Sequence, residues 1–422
     1  MTLTATTAAE GATWAIAALT AGGVIARPWR WPEAIWAVLG AAVLVAFSLL
    51  PWRDALGAIG RGTDVYLFLA GMMLLAEAAR RQGVFDWLAV LAVRRASGSA
   101  SRLFALVFAV GTIVTVFLSN DATVVVLTPA VYAVAKAAGA EPLPYLFACV
   151  FIANAASFVL PISNPANLVV FGSHLPPLSA WMAQFWVPSL LAIATTYVVL
   201  RFAQRALLRR PVAEAVDVPS LSATGRLTVC GIGVAAITLL SASALNIRLG
   251  LPTFLAGGLT ALAALTERRA PWDLLKRISW SVLPLVAGLF VMVEGLARTG
   301  VIVRLGQALL GAEQYSTTAT SWAAGALVAI ACNLMNNLPV GLIMGSAVAA
   351  VPMPRQITGA LLIGIDLGPN LSVTGSLATI LWLAALRRDG QDVSAWNFLR
   401  LGALVTAPAL LLALAGLVMM HR

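Results

Sequence analysis

Long apolar stretches alternate with short polar segments along the whole 422-residue chain. A transmembrane helix needs roughly 17–25 mostly apolar residues, and stretches near that length recur from one end of the chain to the other. The pattern therefore predicts an all-α polytopic membrane protein. We expect ten transmembrane helices, near residues 12–26, 32–50, 64–80, 144–171, 182–204, 227–247, 251–267, 279–298, 356–383 and 398–420.

Two further apolar segments carry polar residues at their centres, where lipid makes such groups costly. The first reads "VFLSNDATVVVLTPA" (116–130) and the second "CNLMNNLPVGL" (332–342). We expect re-entrant helical hairpins over 101–137 and 318–351 that turn back at these polar residues. A short amphipathic helix is expected before each hairpin, over 84–96 and 301–311.

The two halves of the chain resemble each other. "AGMMLLAEAARRQGV" (70–84) matches "AGLFVMVEGLARTGV" (287–301) at a shift of 217 positions, which pairs Glu77 with Glu294. Each half therefore contains five transmembrane helices and one hairpin, and the odd number of crossings makes the repeats inverted. Internal repeats of this kind are characteristic of secondary transporters. The predicted organisation is a first repeat, a cytoplasmic linker and a second repeat, over 1–204, 205–226 and 227–422.

Composition and charge agree with a membrane protein. The chain is 60% hydrophobic and 10% charged, with a mean hydropathy of +0.92, whereas soluble domains carry about 25% charged residues. The net charge of +10 does not indicate nucleic-acid binding, because the basic residues lie in short loops between apolar stretches. Cytoplasmic loops of membrane proteins are rich in Lys and Arg, so these residues indicate which loops face the cytoplasm. We expect a multi-pass protein of the inner (plasma) membrane with both termini on the outer side.

Two of the long spans are interrupted by polar residues. "LPISNPANL" (160–168) contains two prolines, and "LSVTGSLATI" (371–380) contains Gly375, so we expect broken helices over 144–171 and 356–383. Broken helices expose backbone groups that lipid tolerates only beside a cavity or inside protein. Together with the hairpin tips they predict one site at the membrane midplane. Its candidate substrate-binding residues are Ser119, Asn120, Ser163, Asn164, Asn336, Asn337, Thr374, Gly375 and Ser376.

The alternative for these polar residues is a purely structural role, in which they bind neighbouring helices together. Their symmetric placement in two repeats favours a site. Asp121 and Asp366 lie within the polar segments, and intramembrane carboxylates are functional candidates, so we predict that both couple transport to protons. Asp121 could instead cap the second arm of its hairpin.

The sequence does not predict an enzyme. It contains no nucleophile–base pair and no His/Cys metal spacing, and we expect no cofactor and no metal site. A Walker A motif is also absent, so no ATP site is encoded in these residues.

The strings "FLSNDATVVVLTP" (117–129), "NNLPVGLIMG" (336–345) and "GIDLGPNLSVTGSLATILWLAALRR" (364–388) resemble the ArsB arsenite/antimonite efflux permeases of the ion-transporter superfamily. The similarity extends over nearly the whole chain, and the third string is the most specific. The resemblance implies export of As(III) and Sb(III) hydroxides from the cytoplasm, driven by proton influx. It also implies elevator-type alternating access, in which the hairpins and broken helices form a transport domain that moves against a scaffold of the remaining spans.

A neutral trihydroxide needs hydrogen-bond donors and acceptors, which Asn, Ser and Thr supply. No Lys or Arg lies within the four polar segments, which disfavours sulfate, phosphate or dicarboxylate as the solute. The alternative function is a monovalent cation (Na⁺)/proton antiporter of the same superfamily. A third hypothesis is a membrane subunit driven by a soluble ATPase that docks on the linker 205–226. The lipid bilayer is an expected partner, and nucleic acid is not.

Overall fold

A computed structural model describes residues 2–212, 220–265, 274–388 and 390–421. The described residues form helices joined by short connections, apart from one isolated β-bridge between Ser99 and Pro211. The predicted all-helical membrane fold is confirmed. Residues 213–219 of the predicted linker lie outside the described part, as do both terminal residues of the chain.

Within the described residues, six helices are long and apolar enough to cross a membrane, and the number rises to eight if each bent pair of helices forms one span. The bent pairs are Trp52–Arg61 with Thr63–Arg81, at 48°, and Val282–Arg298 with Val301–Glu313, at 72°. The six long helices are Thr7–Ala26 (the apolar part of the helix Thr2–Ala26), Ala100–Phe117, Leu178–Ala203, Ala223–Ala244, Thr317–Met335 and Ala395–Met420.

Shorter apolar helices occupy several positions where spans are predicted, namely Glu33–Ala46, Leu143–Ala155, Gly250–Ala264 and Arg355–Leu367. The predicted amphipathic helices are Val84–Ala96 and Val301–Glu313, each preceded by a glycine with positive φ that lets the chain turn from the helix before it.

Each predicted hairpin segment consists of two helical arms joined by a short turn at its polar residues. The first, called hairpin 1, consists of Ala100–Phe117 and a returning arm made of Asn120–Ala122, a π-helical turn Thr123–Leu127 and Thr128–Ala137. Hairpin 2 consists of Thr317–Met335 and Asn337–Ala350. Asn336 forms its turn with φ +74° and ψ 153°, a backbone region that residues other than glycine rarely adopt.

Both long polar-interrupted spans are broken. The first broken helix contains Leu143–Ala155, a 3₁₀ turn Pro161–Ser163 and Pro165–Phe171. The second contains Arg355–Leu367, a 3₁₀ turn Gly368–Leu371 and Leu377–Arg388. These breaks lie in the core of the protein, where Asn167, Asn370 and Ser376 are almost fully buried.

Glycines allow close approach of the helices that surround the breaks. A Cβ atom added to Gly257 would lie 2.1 Å from the carbonyl oxygen of Gly71, so the backbones of Gly250–Ala264 and Thr63–Arg81 are in contact. Gly364 approaches Gly325 in the same way, which joins the second broken helix to the first arm of hairpin 2. Small residues at helix crossings are the usual basis of packing between helices in membranes.

Candidate transport site

The tip of hairpin 1 is organised by its own polar side chains. Ser119 Oγ accepts a 3.3 Å hydrogen bond from the backbone N–H of Ala122, and Asn120 Oδ1 accepts one of 2.9 Å from the N–H of Asp121. The hydroxyl oxygens of Thr115 and Thr123 are 2.8 Å apart and connect the two arms. The carboxylate of Asp121 makes no hydrogen bond or ion pair with any described residue, so the structure does not use it as a helix cap.

The break in the first broken helix lies against this tip. Ser163 Oγ donates a 3.0 Å hydrogen bond to the carbonyl oxygen of Val116, at the end of the first arm of hairpin 1. Asn164 caps Pro165–Phe171, because its Oδ1 accepts from the N–H of Ala166 at 3.0 Å. The proline at the first helical position lacks the N–H that would otherwise need a partner.

Asp366 is fully buried at the end of Arg355–Leu367. Its Oδ1 accepts a 2.6 Å hydrogen bond from Asn164 Nδ2, while its Oδ2 has no hydrogen-bond partner within the described part of the chain. A second bond joins the same two broken helices, from Asn154 Nδ2 to Asn370 Oδ1 at 2.8 Å. The breaks of the two repeats are therefore connected directly by side-chain amides and one carboxyl group.

The tip of hairpin 2 contacts the break in the second broken helix. The N–H of Asn337 donates a 3.0 Å hydrogen bond to the carbonyl oxygen of Gly375. Asn333 Oδ1 accepts from Ser372 Oγ at 2.6 Å, and Thr374 Oγ1 donates to the carbonyl oxygen of Asn333 at 3.3 Å. These residues form a second polar cluster, separate from the tip of hairpin 1.

A cavity of about 90 Å³, called the tip cavity, lies beside the tip of hairpin 1. This volume holds several water molecules. Ser119 and Asp121 line it, together with Pro165 and Leu377, the first residues of the two short helices that follow the breaks. The helix Thr63–Arg81, the segment 277–279 and Val282 also line this cavity.

A cavity of about 450 Å³, called the large cavity, is lined by other parts of Thr63–Arg81, Pro165–Phe171 and Val282–Arg298 and by the returning arm of hairpin 2. The short helix Pro165–Phe171 separates the two cavities, because Pro165 lines the tip cavity and Leu168–Phe171 line the large one. The repeat-related residues Glu77 and Glu294 also divide between them, with Glu77 in the tip cavity and Glu294 in the large cavity.

The structure brings together some of the predicted site residues and separates others. Ser119 and Asp121 face the tip cavity, and Ser163 and Asn164 lie directly behind Pro165 in its wall. Asp366 is farther back, behind Asn164. Ser376 caps the helix that begins at Leu377. The remaining predicted residues do not line the tip cavity: Asn120 is buried at the first tip, and Asn336, Asn337, Thr374 and Gly375 belong to the cluster at the second tip.

Several polar residues of the site were not predicted from the sequence. Asn333 lies one helical turn before the Asn336-Asn337 pair, and Asn370 lies within the sequence motif of the second break. Both residues could have been predicted from their position beside these polar segments. Arg277 lines the tip cavity, although no Lys or Arg lies within the four polar segments. No group of three or more His, Cys, Asp or Glu side chains that could hold a metal ion occurs among the described residues.

Hairpins that meet broken helices, with cavities on both sides of a short half-helix, define a polytopic membrane transporter. Comparison with known families agrees, since the sequence profile of the citrate transporter family (CitMHS) matches residues 15–367. The chain belongs to this family, and it is a secondary transporter of the ion-transporter superfamily rather than an enzyme.

Curated relatives match over most of their length. An uncharacterised transporter of Mycobacterium tuberculosis is 28% identical over 393 residues, which cover 88% of this chain and 90% of the relative. The arsenical pump membrane protein of Escherichia coli K12 is 28% identical over 359 residues, covering 79% and 81%. The predicted resemblance to arsenite permeases is thus confirmed as a distant relationship.

Two solved structures share the fold. The YdaH transporter of Alcanivorax borkumensis superposes with a TM-score of 0.58 at 17% identity, over 87% of each chain. MtrF of Neisseria gonorrhoeae, described as illuminating a class of antimetabolite efflux pumps, gives 0.53 at 14% identity over 89% of this chain and 83% of its own.

Proposed function

We propose that the protein exports arsenite and antimonite from the cytoplasm in exchange for protons, by alternating access. The observation that carries this proposal is the carboxylate of Asp121, which lines the tip cavity and makes no hydrogen bond or ion pair with the described residues. Such a group is available to bind and release a proton as the cavity opens and closes. The similarity to arsenical pump membrane proteins of Escherichia coli supports the choice of solute.

The proposed transport domain consists of both hairpins and both broken helices. The proposed scaffold consists of the remaining spans. In this proposal the chain has ten transmembrane helices and two re-entrant hairpins in two inverted repeats, with both termini outside. The two cavities fit such a movement, because each lies between a broken helix and the scaffold helices Thr63–Arg81 and Val282–Arg298. The half-helix Pro165–Phe171 would then alternate access between them.

The proposed solute contacts are uncharged. The hydroxyl of Ser119 lines the tip cavity, and the Asn337 amide and Thr374 hydroxyl of the second tip are proposed to reach the solute in another state of the transport cycle; these groups offer both donors and acceptors, as a neutral trihydroxide requires. Asp366 is proposed as a second proton-coupling group, since one of its carboxyl oxygens is buried without a partner in the described structure.

A carboxylate solute is the second candidate. The family profile is named for a citrate transporter, and Arg277 supplies a cation to the wall of the tip cavity. Guanidinium groups bind carboxylates with two parallel hydrogen bonds. This candidate predicts that citrate is transported and that arsenite is not.

Uptake into everted membrane vesicles under an imposed pH gradient tests these functions. Labelled arsenite, citrate and Na⁺ are supplied in parallel to vesicles with the wild-type protein, Asp121→Asn or Asp392→Asn. Asp392 is an exposed carboxylate away from both cavities, so its variant is the matched control. We expect arsenite uptake that requires the gradient and falls at least about tenfold in Asp121→Asn alone. Gradient-driven uptake of citrate or Na⁺ without arsenite uptake would overturn the proposed export.

A further inference from the structure

Arg277 is held at the wall of the tip cavity by its neighbours. Leu274 and Ile278 are buried and pack in one apolar cluster with Leu74 and Ala78 of the helix Thr63–Arg81. Arg277, between these two anchors, is exposed and lines the tip cavity. The backbone that carries Arg277 is therefore packed against the proposed scaffold, and its side chain lines the same cavity as the tip of hairpin 1.

Among the described residues, three charged side chains line the tip cavity: Glu77, Asp121 and Arg277. Glu77 is already neutralised, because its two carboxylate oxygens accept hydrogen bonds of 2.7 and 2.6 Å from Nε and Nη2 of Arg80 on the same helix. The other lining residues, contributed by the described parts of hairpin 1, the two short helices and Val282, carry no charge.

Two opposite charges thus remain without a partner around one small cavity. Neither Asp121 nor Arg277 makes an ion pair or a side-chain hydrogen bond with the described residues. Asp121 is only partly exposed and Arg277 is exposed, so water screens their attraction in this state; the attraction strengthens once closure of the cavity excludes water from between them. A cavity of about 90 Å³ is small enough for modest closure to bring the two groups together.

We propose that Arg277 is an electrostatic latch for hairpin 1. It pairs with the Asp121 carboxylate when that group is unprotonated and no solute is bound, and it releases the hairpin when Asp121 takes up a proton or when solute occupies the cavity. The proposal rests on the proposed proton-coupling role of Asp121. It explains how exchange stays coupled, because an antiporter wastes its gradient if the empty, unprotonated carrier can return across the membrane.

Loss of the latch therefore produces a proton leak that needs no solute. The experiment follows the decay of an imposed pH gradient in proteoliposomes without arsenite, with a trapped pH-sensitive dye. The variants are Arg277→Gln, Arg277→Lys, Lys276→Gln and the double variant Asp121→Asn/Arg277→Gln. Lys276→Gln removes the same charge from the adjacent exposed residue, which does not line the cavity.

We expect the gradient to decay several-fold faster with Arg277→Gln than with the wild-type protein. With Arg277→Lys and Lys276→Gln the gradient should decay at the wild-type rate, and the double variant should lose the leak because the proposed leak is carried by Asp121, which can no longer take up a proton. Equal decay with Arg277→Gln and wild type, at matched protein density, would overturn the latch. So would a leak that persists in the double variant, or that Lys276→Gln reproduces.

Arg277→Met, which keeps a long apolar stem, replaces Arg277→Gln if the latter does not insert into the membrane, and the same outcomes apply. The test separates the latch from the proposed export. Absence of arsenite uptake by the wild-type protein would refute the export alone, whereas normal arsenite uptake by Arg277→Gln without a leak would refute the latch alone.

Discussion

Asn164 Nδ2 donates a 2.6 Å hydrogen bond to Asp366 Oδ1, and this bond joins the first broken helix to the second across 202 positions of sequence. Asn164 also caps Pro165–Phe171 through its Oδ1 atom. The side chain of Asn164 therefore hydrogen-bonds both to the N-terminus of Pro165–Phe171, the half-helix between the two cavities, and to the buried carboxyl group of Asp366.

Substitution at Asn164 separates these two roles. Asn164→Ser keeps a capping oxygen but is too short to reach Asp366, whereas Asn164→Ala loses both bonds. We expect Asn164→Ser to lower the free energy of unfolding by about 1–3 kcal/mol, the usual cost of a buried polar group left without its partner. Asn164→Ala should cost about 1 kcal/mol more, the typical contribution of an N-cap. Thermal unfolding in detergent measures both variants, and equal stability of the two would show that the cap contributes nothing.

Gly375→Ala should disrupt the second tip. A Cβ atom at this position would lie 2.5 Å from Cα of Pro369 and 2.8 Å from Oδ1 of Asn333, so the break or the tip has to move. We expect both a lower unfolding temperature and a loss of transport of about tenfold or more.

The control for this substitution is Gly233→Ala, on the helix Ala223–Ala244, where an added Cβ meets nothing within 4 Å. It should leave transport and unfolding temperature unchanged. Normal behaviour of Gly375→Ala would show that the second tip tolerates displacement during transport.

The repeat-related glutamates should differ in their contribution to stability. The side chain of Glu77 is 8% exposed and accepts two hydrogen bonds from Arg80, so Glu77→Gln should cost about 1.5–3 kcal/mol. Glu294 pairs with Arg61, whose side chain is 58% exposed, and exposed ion pairs contribute about 0–1 kcal/mol. Unfolding of Glu77→Gln and Glu294→Gln side by side checks the order, and a larger loss for Glu294→Gln would contradict it.

The buried thiols should not be needed for transport. Cys332 is fully buried, and its sulfur lies 3.8 Å from the carbonyl oxygen of Ile365. Cys149 is equally buried in the apolar core. We expect the double variant Cys149→Ala/Cys332→Ala to keep arsenite uptake per inserted molecule, with a modest loss of stability from the two small cavities. Loss of uptake at full protein level would instead indicate that As(III) binds a thiol.

The hairpins and the breaks were predictable from sequence because their signals are local. Polar residues inside an apolar run, as at Ser119 and Asn336, indicate a turn wherever lipid would surround an intact helix. Pro161 and Pro165 interrupt a helix by the same local chemistry in any fold. The internal repeat also allowed each element of the first half to be paired with one of the second half. The count of ten spans remains a prediction.

The partners of the site residues were not predictable in this way. Asp366 was placed at a break by its sequence position, yet its hydrogen bond to Asn164 depends on how two distant helices cross. Arg277 was counted only as a cytoplasmic loop charge, and its place in the tip cavity depends on the packing of Leu274 and Ile278 against Thr63–Arg81.

The sequence by itself determined a helical membrane protein with two similar halves, two polar hairpin tips and two broken helices, because hydropathy and helix-breaking residues act over one or two helical turns. Only the tertiary structure decided that Asp121 faces a cavity while Asp366 is buried behind Asn164. It also decided that Glu77 and Glu294 line opposite cavities. These differences arise from contacts between residues far apart in the chain, which the pattern of any single segment does not contain.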